Sequence, residues 1–132
     1  MKRLLLVGFV VLVFAPEASA KMCVRIETVP ARPVAGVPAT IRVTALSIVV
    51  RDGRARPGDQ LIGLSPQTRL NIRAVAPDGA VRTVLVRRTA RSVLVGRFIF
   101  PSAGAWTLSW AAWPNDSNPA CAGTKRVGVS GR

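Results

Sequence analysis

The sequence predicts an all-β domain, an antiparallel sandwich or small barrel of about seven short strands, preceded by a secretory leader. Three observations carry that reading. After residue 20, apolar and polar residues alternate in short runs, which puts successive side chains on opposite faces of an extended chain. Pro and Gly, 10 and 11 in 132 residues, cluster between those runs. No stretch repeats its apolar residues at a 3.6-residue period over a useful length, so helices are not expected.

Residues 1–20 have the three parts of a signal peptide. Lys2 and Arg3 supply the positive start, Leu4–Phe14 the apolar run, and Ala18-Ser19-Ala20 the small residues of a cleavage site. The apolar run is shorter than the roughly 20 residues that span a bilayer, which favours cleavage over an uncleaved anchor. Lys21 and Met22 precede Cys23, so no lipoprotein site is present. The domain division is therefore 1–20 leader and 21–132 mature domain, with an extracytoplasmic (periplasmic or secreted) destination. Losing Lys2, Arg3 and Glu17 takes the formal net charge from +13 to +12. No further long apolar segment follows, so no transmembrane segment is expected in the mature chain.

The elements follow in order. Cys23–Thr28 alternates and stops before Pro30; Val29–Pro38, with three prolines and a glycine, reads as a linker or kinked edge. Pro38–Leu46 puts Ile41, Val43 and Ala45 on one face and Arg42 and Thr44 on the other, and Ser47–Arg51 continues it. Asp52-Gly53 and Arg56-Pro57-Gly58-Asp59 both read as turns. Arg69–Val75 points Leu70, Ile72 and Ala74 inward and Arg69, Asn71 and Arg73 outward. Pro77-Asp78-Gly79 then reverses the chain into Val81–Arg87. Ser92–Phe100 is apolar on both parities, as a central strand would be. Ala105–Trp113 aligns Trp106, Leu108 and Trp110 as core anchors, leaving Trp113 on the other parity beside a loop; Lys125–Val129 closes the domain. Cys23 and Cys121, the only thiols, lie near the two ends of this domain, and in an oxidising compartment they are expected to form a disulfide.

Several motifs resemble those of a known group. Pro38–Val43, the Ala76-Pro77-Asp78-Gly79 turn, Gly96-Arg97-Phe98, and Phe100-Pro101-Ser102-Ala103-Gly104-Ala105-Trp106-Thr107-Leu108 are similar to bacterial extracytoplasmic immunoglobulin-like modules, nearest the YtkA-like family. The resemblance covers roughly residues 36–112 and implies an Ig-like β-sandwich serving as an accessory or interaction domain, in some relatives near copper-handling or envelope systems. This sequence departs from the metal-handling pattern. It has no His, and after residue 20 only Met22 remains of its methionines.

Catalytic chemistry finds little here. Without His or Tyr, no Ser-His-Asp or Cys-His arrangement can be built and the commonest general base is missing. The acids after residue 20 are Glu27, Asp52, Asp59, Asp78 and Asp116; four sit in expected turns, where Asp bonds its own backbone. The chain is read as a non-enzyme with no cofactor and no metal. No Cys, His or Met stands between Gly96 and Trp113, which excludes a type 1 copper site. Pro114–Pro119 reads as a polar turn in preference to a calcium loop, because it holds a single carboxylate.

Positive charge is the remaining signal. Arg42, Arg69, Arg73, Arg97 and, more loosely, Arg82 fall on outward parities of strands that can share a sheet, and Arg51, Arg54 and Arg56 crowd one loop. Such guanidinium surfaces attract phosphate, sulfate or carboxylate. The expected partner is an unknown envelope protein or an anionic polymer, including phospholipid headgroups and cell-wall polymers. Nucleic acid is disfavoured, since the chain lacks a Lys-rich tract and an exposed aromatic series. The competing explanation is that Arg merely solvates the outer face of half-buried strands.

Overall fold

A computed structural model describes residues 22–110 and 119–132. The leader, Trp113 and the loop residues 114–118 lie outside the described residues. The rest is all-β. The strands are β1 (Cys23–Val29), β2 (Pro38–Arg51), β3 (Arg54–Leu61), β4 (Arg69–Val75), β5 (Val81–Ala90), β6 (Val93–Ile99), β7 (Gly104–Trp110) and β8 (Lys125–Val129), with a 3₁₀ turn at Pro119–Ala122.

They form one continuous antiparallel sheet in the order β1-β2-β6-β5-β4-β7-β8, with β3 added to β2. The sheet curls until β1 and β8 approach each other, giving a nearly closed barrel. Its seam is pinned at both ends. Below, Val34 bridges Ser130, with Ala35 N donating to Ser130 O at 2.8 Å and Ser130 N to Pro33 O at 2.9 Å. Above, the Cys23–Cys121 disulfide ties β1 to the 3₁₀ turn. Gly123 completes this upper closure. Its φ is +64°, and an added Cβ would lie 2.6 Å from Val24 O, so the backbones meet where no side chain fits.

Alternation decides the core. Ile41, Val43 and Ala45 of β2, Leu70, Ile72 and Ala74 of β4, and Trp106, Leu108 and Trp110 of β7 are all buried, while Arg42, Arg69, Asn71 and Arg73 are exposed. Phe100 and Trp106 are fully buried at the lower end and meet edge to face with centroids 5.2 Å apart; Phe98 packs on both. The indole N–H of Trp106 donates to Ser102 O at 2.9 Å, so its burial leaves no polar group unpaired.

The turns are set by their residues. In Pro77-Asp78-Gly79, Asp78 Oδ1 accepts from Ala80 N at 2.9 Å and Gly79 has φ +94°, joining β4 to β5. Asp52 and Gly53 both have positive φ, +52° and +74°, the geometry of a two-residue turn matched to strand twist.

One expected turn is a strand. Arg56-Pro57-Gly58-Asp59 lies inside β3, which begins directly after Gly53. The register runs from Leu46↔Leu61 to Ile48↔Pro57, so two steps on β2 span four on β3, a bulge at residues 58–60. Pro57 is tolerated because β3 pairs with β2 alone and is an edge. At Gly58 an added Cβ would collide with Ser47 Oγ and lie 2.9 Å from Val49 Cγ2, so a larger residue would require both side chains to shift.

Candidate basic interface

Two arginine surfaces emerge, one on the barrel wall and one on a hairpin that leaves it. The wall is set by register. Arg69 lies directly opposite Arg87, Arg87 opposite Val95, Val95 opposite Arg42, and Arg42 opposite Glu27. This row crosses β4, β5, β6, β2 and β1. Arg97 stands beside Thr40 and Arg73 beside Thr83, on the same outer surface. With neighbouring strands about 4.8 Å apart, Arg69 and Arg87 share one small patch. Among the described residues the row has a single ion pair: Glu27 Oε1 accepts from Arg42 Nη2 at 3.0 Å and Nε at 3.3 Å. Arg69, Arg73, Arg87 and Arg97 have no carboxylate partner among the described residues.

Sequence parity therefore placed Arg42, Arg69, Arg73 and Arg97 on one sheet face. It missed Arg87, which counting back from buried Val86 and Val84 would have found. Arg82 is a correction. It is aligned with buried Ala74 and carries inward parity, and it is exposed only because it stands at the end of β5.

Arg51, Arg54 and Arg56 are not in a loop; they belong to the β2–β3 hairpin. β2 keeps β6 as a partner only as far as Thr44 and β1 only as far as Leu46. Beyond that point the hairpin is a two-stranded ribbon. Its pairs are Ile48↔Pro57, Val49↔Arg56, Val50↔Ala55 and Arg51↔Arg54. Directly paired residues share a face and successive residues alternate, so Arg51, Arg54, Arg56 and Val49 lie on one side. Ile48, Val50, Ala55 and Pro57 lie on the other. The ribbon is amphipathic, and Val50 is 66% exposed. None of its arginines has an ion pair among the described residues.

A third feature is an open groove of about 860 Å³ along the seam, between β1, the β3 bulge and Gly123–Lys125, with Glu27, Asp59, Arg25 and Lys125 at its walls. Its charges are mixed and its acids are dispersed. Among the described residues no three His, Cys, Asp or Glu side chains gather as metal ligands. Asp78 is committed to its turn and Glu27 to Arg42. No described helix is long and apolar enough to cross a membrane.

No protein-family model matches this chain, and no curated protein matches it.

Proposed function

We propose that this protein is an extracytoplasmic, non-catalytic binding module that holds an envelope partner through its arginine surfaces. The observation that carries the reading is the hairpin: three guanidiniums share one face of an element that the barrel does not need for closure. A solvating role alone would scatter arginines on half-buried strands; it gives no reason for a ribbon projecting past the sheet with one side cationic and the other aliphatic.

The strand order is what supports reading the barrel as Ig-like. The order β1-β2-β6-β5 followed by β4-β7-β8 is that of the two halves of a constant-type immunoglobulin sandwich, with β3 as an added strand. Export through residues 1–20 is consistent with the disulfide, since such bonds persist in oxidising compartments.

The experiment is retention of the purified protein on a washed envelope fraction as salt rises from about 50 to 500 mM, over which the screening length shortens severalfold. Retention should fall steeply. It should fall further at low salt for the combined Arg51→Gln, Arg54→Gln, Arg56→Gln variant. Equal retention of both forms at every salt concentration would refute a guanidinium-mediated contact.

A further inference from the structure

We infer that the occupant of the β2–β3 hairpin is the surface of a bilayer containing anionic phospholipid, with the ribbon lying in the interface. The inference rests on the binding-module reading above and names its partner. It starts from the two faces. Ile48, Val50, Ala55 and Pro57 offer a side with no hydrogen-bonding side chain, and Arg51, Arg54 and Arg56 stand on the reverse. An interfacial element needs that division. Its apolar side sinks about 5–10 Å into the boundary of headgroups and acyl chains, while cations on the other side stay level with the phosphates.

The geometry suits this placement. The Asp52-Gly53 turn ends the ribbon in two residues, so no bulky loop holds it off a flat surface. Long arginine stems can lie along the ribbon and carry their heads to the phosphates. Leu61 is 60% exposed at the hairpin's base and extends the aliphatic surface toward the barrel.

Other occupants leave part of the feature unused. Single-stranded nucleic acid binds through stacked aromatic side chains, and residues 48–57 contain none. An acidic protein would engage the guanidiniums and leave Ile48 and Val50 in water. A bilayer with negative headgroups satisfies both faces, and the formal net charge of +12 without residues 1–20 favours approach to it.

The test is co-sedimentation of the purified protein with vesicles of one part phosphatidylglycerol to three parts phosphatidylcholine, against phosphatidylcholine alone. Binding is expected to the first and not the second. Each arginine at an anionic surface contributes about fivefold, so combined Arg51→Gln, Arg54→Gln, Arg56→Gln should weaken binding about 100-fold. Val50→Asp should remove the fraction of binding that survives about 0.5 M salt. Far-UV spectra and melting curves verify that these exposed substitutions leave the barrel folded. The wall variant Arg69→Gln, Arg73→Gln, Arg97→Gln serves as comparison, with a loss under tenfold expected.

A large loss in the wall variant with none in the hairpin variant would overturn the hairpin inference and leave the binding module standing. Vesicles ignored while the envelope fraction still retains the protein would point to an acidic protein partner and overturn it too. Failure on vesicles and envelope alike would sink both readings.

Discussion

Replacing Cys23 and Cys121 together by Ala should remove a large share of the stability of this domain. The bond closes a loop with a sequence separation of 98 residues. In the chain-entropy account, a loop of that size removes about 4–5 kcal/mol of freedom from the unfolded chain. Whole domains of this size are stable by about 5–15 kcal/mol, so the loss is from roughly a third to nearly all of the total. Unfolding entropy near 2.1 cal/mol/K per residue converts the loss into a fall in Tm of about 20 °C. The bond's location sharpens the expectation. β1 and β8 do not pair, so the upper end of the seam relies on the disulfide and on the approach of Gly123 to Val24. Thermal and urea unfolding followed by far-UV circular dichroism would measure the effect in the double variant and in reduced wild-type protein. The reduced protein controls for side-chain truncation at the fully buried Cys23. The urea slope should rise in both, because an uncrosslinked unfolded chain exposes more surface. A drop in Tm below about 5 °C with an unchanged slope would refute loop closure as the source of stability.

Trp106→Phe should cost about 2 kcal/mol in urea unfolding, since it removes ring volume from a fully buried site and leaves Ser102 O without its donor. Gly96→Ala should destabilise by about 1–3 kcal/mol, because its Cβ would fall 2.5 Å from Leu85 O; Gly128→Ala, where nothing lies within 4 Å, should be neutral or stabilising by up to about 1 kcal/mol. Similar Tm values for the two alanine variants would count against the packing argument. Arg87→Glu should stabilise by about 0.5–1 kcal/mol at low salt by replacing the Arg69↔Arg87 opposition with a paired charge, an effect that should fade by about 0.5 M salt.

Alternation made the wall legible in the sequence. Once Ile72 is assigned to the core, period two fixes Arg69 and Arg73 outside, whatever the strand order. The thiols and the buried tryptophans followed from composition and pattern in the same way. Strand neighbours were another matter. Parity reports which face a side chain occupies and says nothing of which strand lies beside it, so the opposition of Arg69 and Arg87 waits on the register. β3 was lost for a local reason. Pro57-Gly58-Asp59 has the residues of a turn, but the chain had already reversed at Asp52-Gly53, and an edge strand can absorb both a proline and a bulge. Reading that segment as loop concealed the pairing that gives the hairpin its faces.

The turn is what converts a local sequence into a surface. A two-residue reversal makes the residues flanking it, Arg51 and Arg54, a direct pair, and alternation then carries Val49 and Arg56 to the same side. Val50 and Ala55 must take the other side, and Ile48 and Pro57 with them. In a flexible loop the same three arginines would be a diffuse cloud of charge, attractive at long range and indifferent to what lies behind it. Held by the ladder, they share a plane with an aliphatic sheet face at their back. That pairing of surfaces separates simple polyanion binding, which salt alone should abolish, from interfacial binding, which leaves a salt-resistant remainder set by Val50 and its neighbours.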